Sequence, residues 1–378
     1  MALDDEAAHR TLTASEEQWL KVRDYLGDHR HELAVAAATE YPPAASVVGT
    51  PLLAPANWIP DAPVPLDDVQ LDYRPQTRFE GITGTEEAAY AVLPVRADGT
   101  RYRSYSEALS ALGASGRFEN RSTYRLTAAN PNARPELVFG RGQYFDGIDV
   151  GEACAHEYAA YVLGELGEQR LRGLVRDPCD PSRRPMNVAI STLTLRLGDV
   201  PNGASFLLHR RDAGKVGHAG GMFQVLPVGI FQAAGDEPWN QENDFSLWRC
   251  MLREFSEELL GESEDRGTPD GPIDYDRWSF AARMSEGRRR GVARVYYLGM
   301  GVDPLTLATD ILTVAVFVAS FFDELFGRLV SDNEEGQVLA SMPFQHDVVD
   351  RFVSEEPTQA AGSALLSLAW RHRSHLVG

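Results

Sequence analysis

Apolar side chains recur at spacings of three and four through Trp19, Val22, Leu26, Leu33 and Ala37, which predicts a helix over residues 14–40. Tyr41-Pro42-Pro43 ends it, because the residue before a proline is driven out of the helical region. Prolines 51, 55, 60, 63 and 65 then stand among large apolar residues such as Leu52, Trp58 and Ile59. A disordered tether would be poorer in such residues, so an extended arm laid over a folded surface is expected. Further along, strands are expected at 88–95, 123–128 and 136–144, with helices at 104–112 and 149–174. The turn-rich Asn130-Pro131-Asn132 separates the second strand from the third.

Residues 176–184, with Pro178, Pro181 and turn-forming aspartates, mark a boundary, giving an amino-terminal α+β accessory region over 1–180 and a second domain over 181–378. After the boundary, strands are expected at 186–197, 204–209 and 222–231, the last broken by Pro227 and Gly229. A helix at 244–260 follows, then strands at 292–300 and 312–318 and helices at 319–329, 345–354 and 359–376. Strands first, a central helix, then strands and helices imply an α/β fold with a mixed sheet packed between helices.

Composition narrows the function classes. A chain of 378 residues with 43% apolar residues can bury a sizeable core and exceeds what one core usually serves. The net charge of −19 repels a phosphate backbone, so nucleic acid is not an expected partner. Lys21 and Lys215 are the lysines among many arginines, a bias expected of a GC-rich, bacterial genome. Cys154, Cys179 and Cys250 are far apart and odd in number, which supports neither a disulfide framework nor a zinc site and fits a reducing cytoplasm. The start of the chain is acidic and polar, unlike a signal peptide, and the apolar run between Asp310 and Asp323 is too short to span a bilayer. No membrane partner is expected.

The chemically informative segment is Leu252-Arg253-Glu254-Phe255-Ser256-Glu257-Glu258. On a helix, Glu254, Glu257 and Glu258 share one face within a turn, an arrangement unfavourable unless a cation lies among them. Magnesium-type ions suit carboxylate oxygens and commonly share ligands with substrate phosphates. Leu247, Met251, Phe255 and Leu259 form an apolar stripe on another face, which would clamp the helix to a sheet.

Arg253, Glu254, Phe255, Glu257 and Glu258 stand in register with the second half of the signature of the Nudix hydrolases, which this segment resembles. Pro227-Val228-Gly229, His209-Arg210-Arg211 and the turn with Gly217, Gly220 and Gly221 also resemble that family's order of elements. The resemblance covers about residues 187–318. It implies a Nudix-like α/β/α sandwich, Mg²⁺ or Mn²⁺ as cofactor, and hydrolysis of a nucleoside diphosphate linked to another moiety. Glu254, Glu257 and Glu258 would hold the metal, one of them doubling as base; Arg253 would pair with a carboxylate and fix the helix; Glu286 would add a later metal ligand. Three departures stand out. Gly229 lies about ten residues further from Arg253 than in the family pattern, the closing glycine falls at Gly261 instead of Leu260, and the earlier acid falls on Phe245, with Glu242 or Asp244 out of register beside it.

Arg210 and Arg211, Gly229, and the cluster containing Arg288 and Arg290 are the substrate-binding candidates, because arginine donors fit phosphate oxygens bidentately. Solvated turns are the alternative for both arginine groups. His209 and His218 are read as structural or surface residues. His156 and Glu157 are adjacent and diverge by about 100° on a helix, which argues for packing over metal binding. Two further readings stay open at this stage: a catalytically degenerate ligand-binding or scaffold protein, and a non-hydrolytic enzyme of specialised biosynthesis on the same scaffold. The resemblance also implies a homodimer.

Overall fold

The computed structural model describes residues 11–113, 118–130, 134–198, 203–211, 221–262, 271–327 and 336–378. Its strands in chain order are β1 (Val64–Pro65), β2 (Gln70–Tyr73), β3 (Ser122–Asn130), β4 (Glu136–Gln143), β5 (Val188–Leu197), β6 (Ser205–Arg211), β7 (Phe223–Val225), β8 (Val228–Ile230), β9 (Ala293–Val302), β10 (Thr309–Val318) and β11 (Gly336–Pro343). The main sheet runs β1-β9-β10-β5-β6-β11, with β7 beside β6 and β8 beside β5. It is mixed: β10 and β5 are parallel and the other pairs antiparallel.

Helices cover both faces of this sheet. Successive strand residues point to opposite sides, and on one side Phe317 of β10 meets Phe255, Phe322 and Phe326 from two helices. On the other side lie Val316 and its β9 partner Arg294, whose guanidinium donates to the Leu376 carbonyl, while Tyr296 meets the His375 ring. The carboxyl-terminal helices Ala360–Arg371 and Arg373–Leu376 therefore lie opposite Leu247–Glu254 and Ala319–Phe326. Full burial of a side chain such as Phe317 contributes about 1.5–3 kcal/mol.

A second sheet, β2-β4-β3, joins the first through backbone hydrogen bonds from Leu126 to Met186 and from Tyr124 to Phe231. One apolar cluster runs through both halves of the chain, from Trp19 to Leu376. The proline-rich stretch lies along the main sheet, where β1 pairs with β9 and Leu52 and Leu53 are buried. Its backbone comes so close to β9 that a Cβ on Gly299 would stand 2.7 Å from the Trp58 carbonyl oxygen. Gly299 also has a φ of +127°, a region open mainly to glycine.

Several elements differ from the sequence expectation. The strand expected at 88–95 is a 3₁₀ turn, Glu87–Val92. Its alanines favour no strand, and Ala89 and Val92, three apart, are buried together beside helices Ala153–Val162 and Arg170–Val175. The helix expected at 14–40 breaks at His29 into Ala14–Asp28 and Arg30–Ala38. The one expected at 149–174 stops at Val162, ahead of Gly164 and Gly167, and restarts at Arg170. β11 and the helix Ser279–Arg289 were not expected. No helix among the described residues is long and apolar enough to cross a membrane.

Candidate functional site

The segment expected as one helix over 244–260 is built in pieces. Pro238–Asn243 is a short helix, Ser246 caps Leu247–Glu254 by accepting from the Arg249 amide, and Phe255–Leu259 widens into a π-turn. Single π-turns within helices change which residues share a face and often occur at functional sites. Here the glutamates have different surroundings. Glu258 is buried and accepts from the Val228 amide at 2.8 Å, whereas Glu254 and Glu257 line a cavity.

Glu254 reaches the cavity across Gly229. A Cβ at that position would lie 1.9 Å from the Glu254 carboxyl carbon, so the absent side chain is what admits the acid. Arg253 points the other way, into the protein. It donates to the Tyr275 hydroxyl at 2.7 Å and to the Gln232 carbonyl, and stands 3.8 Å from Asp244. Tyr275 in turn donates to Asp244 at 2.9 Å, and Asp244 also accepts from the Ala234 amide. The fully buried Asp244, rather than the in-register Phe245, is the acid beside Arg253, and together they tie the loop after β8 to the helix.

The cavity holds about 460 Å³. On its floor Ala189 of β5 lies between Asp310 of β10 and Ile230 of β8. Much of the rest of its wall comes from the amino-terminal region: Phe118, Arg121, Tyr144 and the stretch from Gly147 to Glu152. That stretch includes a second π-turn, Ile148–Glu152, anchored by Glu152, which pairs with the buried Arg30 and with Arg23. Arg184, also lining the cavity, is buried and donates to two backbone carbonyls and to Thr309; burial lowers its pKa to about 10. Asp310 is buried at the floor, accepts from the Ser191 hydroxyl at 2.7 Å, and has its pKa raised to about 7 by burial, against that hydrogen bond and with help from Asp303.

Among the described residues, no group of three or more His, Cys, Asp or Glu side chains is placed to hold a metal ion. The four carboxylates expected to act together are not assembled. Glu258 faces β8, and Glu286 pairs with Arg289 on the surface of Ser279–Arg289, outside the cavity lining. Glu254 and Glu257 remain as a pair in the cavity wall. Two carboxylates fit the habit of Mg²⁺, which commonly completes its shell with waters and substrate phosphate oxygens.

The expected phosphate-binding arginines are elsewhere. Arg288 stacks 4.4 Å over Trp248 and pairs with Asp67, Arg290 is exposed at a helix end, and Arg210 lies over Phe223; none lines the cavity. The side chain of Arg211, the turn residues Gly217 and Gly220, and His218 lie outside the described residues. Gly229 does line the cavity. His209 is buried on β6, and His156 stacks on Trp19 with Tyr105 at 3.2 Å. Burial lowers the His156 pKa to about 3, while Glu157 accepts from the Leu171 and Arg172 amides at the start of a helix. Cavity residues missed in the sequence include Arg121, Arg184 and Asp310. Asp310 left one trace, as the acid that heads the most apolar run of the chain.

No family model and no curated protein matches this sequence. Among solved structures, the chain is similar to the crystal structure of a NUDIX hydrolase from Alicyclobacillus acidocaldarius, with 17% identity over 48% of this chain and 89% of that one, at a TM-score of 0.27.

Proposed function

We propose that this chain is a metal-dependent hydrolase of a nucleoside diphosphate linked to another moiety, or of a similar small diphosphate. The observation that carries the reading is the passage of Glu254 over Gly229 into a cavity that Glu257 also lines, on a helix held from behind by Arg253. Bound Mg²⁺ or Mn²⁺ would supply positive charge that polarises phosphoryl oxygens and acidifies a water. Glu254 and Glu257 would hold that ion, and one of them would accept the water's proton. Arg253 fixes the helix, and Glu258 fixes its π-turn to β8 through the Val228 amide. In this role Glu258 orients the other two acids without touching the substrate.

The test is a panel of dinucleotides, nucleotide sugars and nucleoside triphosphates incubated with Mg²⁺ or Mn²⁺, read as release of phosphate or nucleoside monophosphate. Turnover of at least one member, abolished by Glu257→Gln and by chelation, is expected. If Mg²⁺ and Mn²⁺ neither bind nor raise the melting temperature, and Glu257→Gln changes nothing, the hydrolase reading fails.

The backbone hydrogen bond to Glu258 favours one second reading. Glu258 is engaged by the Val228 amide, which leaves two carboxylates, Glu254 and Glu257, in the cavity lining, as in a scaffold that keeps its pocket and binds a ligand without cleaving it. Saturable binding of a panel member with no product would establish that reading.

A further inference from the structure

The floor of the cavity carries a group that the diphosphate reading does not use. Asp310 sits on the face of β10 that looks into the cavity, beside Ala189 and diagonal to Ser191. The Ser191 hydroxyl occupies Oδ1, at 2.7 Å, and no described residue makes a hydrogen bond to Oδ2. An oxygen that the protein leaves without a partner at a cavity floor is completed by water or by a bound ligand.

We propose that Asp310, held by Ser191, is a hydrogen-bond-donating subsite that takes an uncharged acceptor, a carbonyl oxygen or ring nitrogen, on the non-phosphate portion of the ligand. Oδ2 then carries the proton and points it at the ligand. The charged side chains facing this space are Arg121 and Glu119 from the amino-terminal region, Glu152 from its π-turn, Arg184 before β5, and Glu254 and Glu257 from the helix; Asp303 approaches from the loop before β10. No histidine is among the cavity-lining residues. Burial holds the Asp310 carboxyl near neutrality, so the proton that the subsite needs is present at pH 6 and lost by pH 8.5. Ionised Asp310 would also repel an anionic ligand, so donation and charge act in the same direction.

The subsite concerns binding and does not depend on hydrolysis, which makes the two readings separable. Binding of ADP-ribose, NAD and UDP-glucose to the full chain is measured by calorimetry in EDTA at pH 6.0 and pH 8.5; these diphosphate diesters do not change charge over that interval. At least one compound is expected to bind about tenfold or more tightly at pH 6.0. Asp310→Asn, which keeps a neutral donor, should bind that compound equally at both pH values and close to the wild-type affinity at pH 6.0. Asp310→Ala, neutral but without a donor, should bind at both pH values about tenfold more weakly than Asp310→Asn, and this separates donation from repulsion. Wild-type affinity that does not change with pH, an unaltered pH slope in Asp310→Asn, equal affinity of the Asn and Ala variants, or no binding of any compound would each overturn the proposal. Absent turnover in Mg²⁺ with the pH pattern intact would remove the hydrolase reading and leave the subsite standing.

Discussion

The carboxylate of Glu254 fills the space that a side chain at position 229 would need. Gly229→Ala would place a methyl group 1.9 Å from the Glu254 carboxyl carbon. Because the clash is with the end of a flexible side chain, the acid moves and the strand does not. Stability in urea should fall by less than about 1 kcal/mol, while metal affinity or turnover should fall roughly 10–100-fold, as for other losses of ligand orientation. Equal losses in both would show that β8 itself had shifted.

Tyr275 relays Arg253 to Asp244 in the protein interior. Tyr275→Phe should cost about 1–3 kcal/mol by leaving Arg253 short of an acceptor. Asp244→Ala should cost more, about 3–5 kcal/mol, since it strands a buried guanidinium. Chemical denaturation of both variants checks the order, and a larger loss for Tyr275→Phe would contradict it.

Glu152 should be indispensable to the amino-terminal helices. It holds Arg30 with two hydrogen bonds and also pairs with Arg23, all largely buried. Glu152→Ala is expected to destabilise by about 3–5 kcal/mol and to speed hydrogen exchange in residues 14–38 before the main sheet. Uniform exchange across the molecule would refute the local assignment.

The Asp310 carboxyl gives stability a defined pH dependence. Its folded-state pKa, about 7, lies above that of an unfolded aspartate. Its contribution therefore weakens the fold as pH rises from about 4 to 7 and stays at its full cost above that, on the order of a few kcal/mol. Asp310→Asn should remove that slope, gaining melting temperature relative to wild type at pH 8 more than at pH 5. An identical pH profile for the two proteins would place the titration elsewhere.

What could be read from the sequence was whatever is carried by local spacing. The periodicity of β5, β9 and β10 and the register of Arg253 and Glu254 depend on neighbours in the chain, and the structure places those elements where spacing predicts them. The partner of Arg253 was only half legible. The longer connection from Gly229 lets Asp244 approach from one position before Phe245, and a fixed spacing cannot encode that displacement. The π-turn was hidden because Phe255–Leu259 has the apolar pattern of an ordinary helix. The cavity was illegible for a different reason. Tyr144, Arg184, Asp310 and Glu254 meet only after distant segments dock, and no local pattern records a meeting of that kind.

The short pairing of Val64–Pro65 along β9 has a consequence beyond anchoring. A ten-residue border strand with open amides is a template for adding a strand from another molecule, and proline, which lacks an amide hydrogen, is a natural stopper for such growth. Pro65 opposite Tyr296 therefore caps the sheet against self-association. A fragment trimmed to begin at residue 181 would expose the flank of β9 to aggregation and would also lose the cavity wall that residues 118–152 supply.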